Sequence, residues 1–255
     1  MSSTSSTSSR PGRRGRLPGI ALCLSTWVIA CASPGPKHEY ELAPGKGFGP
    51  HLDSALVIPI NQTVPTPAGL EKGEGAVSSI LIEYLEEKGL EVTPLEPREY
   101  RRVLVQAAHR LEQEMLSGAT GSVSATPTFS EVIPHLLARL EVDVDLVVVP
   151  NMVLREAELV GRGTARWDGV RRRKRGALSF ASLTGRENAA SLQVVLYDRE
   201  GARLFTGYGG LDLLFEINMQ KRAQQLMESR LEDPEDLREG VCVAFHPFFG
   251  EAERC

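Results

Sequence analysis

The chain has 255 residues, is 42% hydrophobic and 24% charged, and carries a formal net charge of −4 at pH 7. Its first 30 residues hold four of the 29 Lys and Arg and none of the 33 Asp and Glu, so residues 31–255 carry 25 basic against 33 acidic side chains, a net of −8. That balance argues against a nucleic-acid binder, because affinity for phosphate needs Lys and Arg to displace counterions; the length from residue 31 onward suits one large domain or two small ones.

Residues 1–16 are rich in Ser, Gly and Arg, with Arg10, Arg13, Arg14 and Arg16 and no acid. Residues 17–30 are apolar apart from Ser25 and Thr26. A run of 14 residues is too short for a membrane-spanning helix, which needs about 20, and has the length of a signal-peptide apolar region. Arg13-Arg14 invites a twin-arginine export reading, but Gly15-Arg16-Leu17 matches it poorly. The run ends at Val28-Ile29-Ala30-Cys31. These four residues resemble the lipobox of bacterial lipoproteins, in which small residues precede a Cys that receives lipid and becomes the new N-terminus. The resemblance implies a signal peptide over 1–30 and a membrane anchor of several acyl chains on Cys31. Each buried CH₂ contributes about 0.8 kcal/mol, so more than one chain makes the anchor stable. The other reading is cleavage at an ordinary site, which leaves a soluble secreted protein. Ala32 and Ser33 follow the Cys, and the family's inner-membrane retention signal, an Asp, is absent there, which favours the outer membrane with the body facing the periplasm.

From residue 31 to 53 the chain holds Pro34, Gly35, Pro36, Pro44, Gly45, Gly47, Gly49 and Pro50 and offers no periodic apolar face, so it reads as a tether, with His38 and His51 solvated. A single α/β domain over 54–255 follows. Residues 54–60 are a buried strand by their apolar run. Ala76, Val77, Ile80, Leu81, Tyr84 and Leu85 repeat at helical spacing, and Gly89 stops the helix. Residues 90–93 form a second short strand. Pro97 opens a helix whose face is Tyr100, Val103, Leu104, Ala107, Ala108, Leu111 and Met115. Thr128-Phe129-Ser130-Glu131 has the pattern of a capping box, and Val132, Ile133, Leu136, Leu137 and Leu140 continue from it, with Pro134 in the first turns. Residues 145–150 are the clearest buried strand, and 152–167 extend it with one wet face. Leu192, Val194 and Leu196 alternate in a further strand, Asp198–Gly201 is a turn, and 203–208 pair back as a hairpin. Met219, Ala223, Leu226 and Met227 suggest a helix, and Asp233-Pro234 starts a last one that runs toward Phe248 and Phe249. This order predicts an α/β fold: a central mixed β-sheet with helices packed on it, a late antiparallel hairpin and C-terminal helices.

Four features carry candidate chemistry. Trp167-Asp168-Gly169-Val170 is a tight turn, since Asp-Gly suits positive φ; Trp167 either anchors a partner or packs on the neighbouring strand. Arg171, Arg172, Arg173, Lys174 and Arg175 form the sharpest charge run of an otherwise acidic chain. The run either contacts anionic lipid headgroups or an acidic envelope polymer, at about 1 kcal/mol per basic residue, or is a solvated hairpin tip that blocks sheet-edge aggregation. Cys242 and Cys255 either form a disulfide, which an oxidising compartment permits, or stay separate thiols; with no His pair near them they do not complete a metal site. Lys72-Gly73-Glu74-Gly75 sits at a helix start but lacks the spacing of a phosphate loop. No His-Glu-x-x-His pair and no Gly-x-Ser-x-Gly frame occurs, so the sequence points to a noncatalytic protein without a cofactor or metal.

The strand at 55–60, the helix over 75–88 closed by Gly89, the strand at 90–93, the strand at 145–150 and the hairpin 192–208 together resemble a family of envelope lipoproteins. Its members share the α/β domain of the curli-secretion lipoprotein CsgG, the N-terminal domain of TolB and the LpoB-type activators of cell-wall synthases. The resemblance covers residues 54–231 and implies a domain that binds an envelope protein or assembles into a homo-oligomeric ring and does no chemistry. Pore-forming members insert long amphipathic hairpins; here residues 164–183 are Arg-rich and alternate weakly, which argues against a pore. A noncatalytic, membrane-anchored interaction module is therefore the first expectation, a secretion-channel subunit the second and an enzyme acting on an envelope polymer the third.

Overall fold

The computed structural model describes residues 38–44, 51–118, 127–161, 163–176, 184–218, 220, 223–227, 230–249 and 255. Cys31 lies outside them. The elements are β1 (Tyr40–Leu42), β2 (Ser54–Val57), α1 (Glu74–Glu87), β3 (Glu91–Pro94), α2 (Pro97–Gly118), α3 (Phe129–Leu140), β4 (Leu146–Val160), β5 (Thr164–Trp167), β6 (Val170–Arg173), β7 (Thr184–Tyr197), β8 (Arg203–Leu213), β9 (Phe215–Asn218), β10 (Ala223–Leu226) and α4 (Pro234–Phe245).

The main sheet is mixed and has the order β1-β8-β7-β4-β2-β3, with β5 paired to β4 and β6 to β5. β2 runs parallel to both β3 and β4; every other pairing in the sheet is antiparallel. Period-2 alternation sends successive side chains to opposite faces, and each face is covered by helices. Ala55 and Val57 of β2 and Leu146 and Val148 of β4 pack with α1 and α4 through Val77, Leu81, Leu85, Val241 and Phe245. Leu56, Ile58, Val147 and Val149 face α2 and α3 through Tyr100, Val103, Ile133 and Leu136. This is the α/β architecture that the strand and helix order predicts.

Local chemistry fixes the element ends. Thr128 and Glu131 close a reciprocal capping box at α3. Glu131 is held below the ordinary carboxylate range by the Thr128 N–H and hydroxyl it accepts from. Asp233 caps α4 by accepting from the N–H groups of Glu235 at 3.0 Å and Asp236 at 3.4 Å, with Pro234 in the first turn. Asp145 closes the start of β4 on β2, accepting from the Asp53 N–H at 3.0 Å and the Ser54 N–H at 3.2 Å.

Three segments differ from the sequence reading. Residues 152–167 are not one strand: β4 ends at Val160 and the chain turns back at Thr164 into β5, which pairs antiparallel with it. Ala223–Leu226 is a strand, paired antiparallel with Phe215–Asn218 in a separate two-stranded sheet. The three- and four-residue apolar spacing there mimics a helix, but β9 offers a partner strand nearby in the sequence. In the Pro/Gly-rich stretch, Tyr40–Leu42 forms β1 and pairs with Phe205–Gly207 of β8. His38 is half-buried beside Tyr40 and His246 rather than solvated, whereas His51 is exposed.

Candidate functional site

The β5–β6 hairpin turns through Asp168 and Gly169, both with positive φ of 34° and 79°, as the Asp-Gly pair predicts. Side chains then alternate down β6, and that alternation splits the basic run. Arg172 and Lys174 point inward; Arg171, Arg173 and Arg175 point out.

The inward cations are used internally. The Arg172 side chain is 8% exposed, stands 3.0 Å from the Asp236 carboxylate, pairs with Glu239 and donates to the Asp236 carbonyl at 2.8 Å. Lys174 is fully buried against Glu187. The five residues are therefore not one surface for anions. Two of them clamp the hairpin to α4 and β7, because charges removed from water require partners.

Trp167 is 4% exposed and does not protrude toward a partner. Its indole Nε1 donates to Ser191 Oγ at 3.1 Å and to the Ala190 carbonyl at 3.3 Å. Its ring leaves no room for a side chain at Gly210, where a Cβ would come within 2.8 Å of it. Packing on β7 and β8 is the role the fold gives it. Behind it lies a polar network that the sequence did not signal. Asp168 accepts from Ser191 Oγ at 2.7 Å and from Arg155 at 3.2 and 3.3 Å. The Arg155 guanidinium lies 4.5 Å over the Tyr208 ring and pairs with Glu39. Its partners come from the tether, the hairpin turn and β8, so no local spacing announces it.

β6 borders a cleft of about 270 Å³, lined by Arg171, Arg172, Arg173, Arg175, Asp212 and Asp236 among others. Burial raises the Asp212 carboxyl above the ordinary range, although it accepts from the N–H groups of Leu213 at 2.8 Å and Leu231 at 2.7 Å and has Arg175 nearby. Burial likewise raises Asp236, against the pull of Arg172. All three carboxylates of the cleft have structural partners: Asp212 two backbone donors, Asp233 the start of α4, Asp236 the Arg172 guanidinium. The outward guanidiniums at this cleft are forks that suit phosphate or carboxylate.

Elsewhere, Cys242 in α4 is joined to Cys255 by a disulfide. The helix start at Lys72–Gly75 is occupied by its own groups: Glu71 accepts from the Gly69 N–H at 2.7 Å, Glu74 from Thr66 Oγ at 2.6 Å, and Gly73 lies against Leu231. Among the described residues no group of three His, Cys, Asp or Glu side chains is placed to hold a metal ion, and no helix is long and apolar enough to cross a membrane.

No family model matches the chain, and no curated protein matches it. Among solved structures, the PelC dodecamer from Paraburkholderia phytofirmans is similar with a TM-score of 0.35 at 12% identity, over 84% of this chain and 98% of that one. A point variant of the same dodecamer gives 0.34 at 12% identity, over 83% and 98%. This is a distant likeness, and it assigns neither a family nor a function.

Proposed function

We propose that this chain is a noncatalytic, lipid-anchored interaction module of a bacterial envelope complex. The observation that carries the reading is Val28-Ile29-Ala30-Cys31 at the end of a basic leader and a short apolar run. The arrangement of the body supports it. The clusters around Arg172, Lys174 and Asp168 are closed on themselves, whereas two surfaces among the described residues suit a partner. One is the outer edge of β3, which pairs only with β2 among the described residues and is the kind of edge that accepts an added strand. The other is α2, where Val105 and Leu116 are each 68% exposed. The partner is another envelope protein or a second copy of the chain.

Intact-mass measurement of the protein from native membranes tests the anchor. The expected product begins at Cys31 and carries acyl chains, and Cys31→Ala leaves the protein without them and outside the detergent phase. An unmodified thiol at Cys31, or a chain that still carries residues 1–30, overturns the reading. Light scattering of the detergent-solubilised product separates the two assemblies: a discrete large oligomer favours a ring such as a secretion channel, and a monomer or dimer favours the module.

A further inference from the structure

The stretch after Cys31 has the composition of a tether, yet residues 38–43 are fastened to the body. β1 pairs with β8, and the Ala43 N–H donates to the Leu204 carbonyl at 2.9 Å. Tyr40 stacks on Phe205 with ring centroids 6.1 Å apart, and Glu39 and Glu41 pair with Arg155 and Arg203. His38 begins this segment. Its ring centroid is 5.5 Å from that of His246, and a Cβ on Gly169 would stand 3.5 Å from its imidazole. The chain thus joins the body at the tip of the β5–β6 hairpin.

Seven Cα–Cα steps separate Cys31 from His38, and they span at most about 25 Å. A body of this size has a radius of gyration of about 17 Å, so the leash is shorter than the body is wide. The joining point must face whatever holds Cys31. Arg171 follows Gly169 by two residues, about 7 Å along a strand. Arg171 and Arg173 are exposed and have no ion-pair partner among the described residues. The acids that line the cleft with them, Asp212, Asp233 and Asp236, are committed to backbone donors, to the α4 cap and to Arg172.

We infer that the β5–β6 hairpin rests on the bilayer that anchors Cys31, with Arg171 and Arg173 against anionic headgroup phosphates. The inference rests on the acylation of Cys31 proposed above. It adds an orientation: β1 converts a long tether into a short leash and makes the hairpin the membrane side.

Arginine footprinting tests it. The acylated chain is reconstituted into phosphatidylglycerol-containing vesicles and treated with phenylglyoxal, and each arginine is read by mass spectrometry. Arg171 and Arg173 are expected to react severalfold more slowly than in detergent, while Arg98 at the start of α2 keeps its rate. Equal rates at Arg171 and Arg173 in the two settings, or equal slowing at Arg98, overturn the inference. The intact mass of the same sample reports acylation separately. If Cys31 carries no lipid, a maleimide lipid coupled to it supplies the same anchor point, and the footprint is read in the same way. A second measurement uses the chain from residue 31 with Cys31→Ser, which contains every described contact. R171Q/R173Q is expected to weaken its binding to the same vesicles about thirtyfold and to leave binding to neutral vesicles unchanged; equal binding to the anionic vesicles overturns the inference.

Discussion

The Lys174 ammonium and the Glu187 carboxylate pair where neither reaches water, with side chains 0% and 5% exposed. The pair ties β6 to β7, and the second Glu187 oxygen has no partner. Breaking such a pair from one side leaves a buried charge uncompensated, whereas replacing both members with apolar groups of similar volume is often neutral. Lys174→Met is expected to cost about 3–5 kcal/mol in urea unfolding, and adding Glu187→Leu is expected to recover most of that loss. A double variant no more stable than Lys174→Met would show that the loss does not come from the uncompensated Glu187 charge.

The contact between α4 and β8 depends on backbone approaching backbone. A Cβ on Gly209 would stand 1.8 Å from the Gly240 carbonyl oxygen, and one on Gly240 would stand 2.4 Å from the Gly210 carbonyl oxygen. Neither oxygen belongs to a flexible side chain that can turn away. Gly209→Ala is expected to destabilise by about 1–3 kcal/mol, the usual range for overpacking, read as a lower urea midpoint. Gly75 is the contrast: it lies in α1, and a Cβ there meets nothing within 4 Å. Gly75→Ala is expected to stabilise by up to about 1 kcal/mol.

Residues that take their roles from near neighbours were legible in the sequence. The Thr128–Glu131 capping box, the Asp233-Pro234 helix start and the Asp168-Gly169 turn each follow from a few consecutive residues, and each is present. The alternation of Val147 and Val149 against Leu146 and Val148 assigns the two sides of β4 in the same way. The basic run was not legible at this level. Whether Arg172 and Lys174 are surface charges depends on Glu239 and Glu187, 67 and 13 residues away, and no local pattern brings those groups together. β10 failed for a related reason. Its apolar spacing fits a helix, and only the pairing of Leu226 with Phe215 decides for a strand. The Asp168–Ser191–Arg155 network has no sequence signature, because its members come from a turn and two separate strands.

The Cys242–Cys255 disulfide closes a loop between α4 and the last residue, with a sequence separation of 13. A cross-link over a loop of that length constrains the unfolded chain by about 3 kcal/mol in the chain-entropy model. Cys255→Ser and chemical reduction are both expected to lower the unfolding free energy by no more than that figure, read as a lower urea midpoint, and reduction is expected to have no further effect on the variant. An unchanged midpoint in Cys255→Ser would show that the bond does not stabilise α4.

His38 is expected to make the attachment of β1 sensitive to acid. Burial, with the like charge of His246 as the second cause, lowers its pKa below the ordinary 6.5; the Val243 backbone and Asp168 oppose the shift. Its Nε2 is buried without a hydrogen-bond partner. In the unfolded chain the imidazole takes up its proton as the pH falls through about 6.5; in the fold it does so only at lower pH. Stability rises with pH wherever the unfolded state binds more protons, so the contribution of His38 is complete above pH 6.5 and is lost as the pH falls toward the lower folded value, where the loss levels off. Urea midpoints of the native chain and of His38→Phe, taken on both sides of pH 6.5, read this directly. The native midpoint is expected to drop more steeply on acidification than that of the variant, whose ring keeps the contacts with Tyr40 and His246 and has no proton to take up. Parallel pH profiles for the two proteins would show that the imidazole does not titrate in contact with the fold.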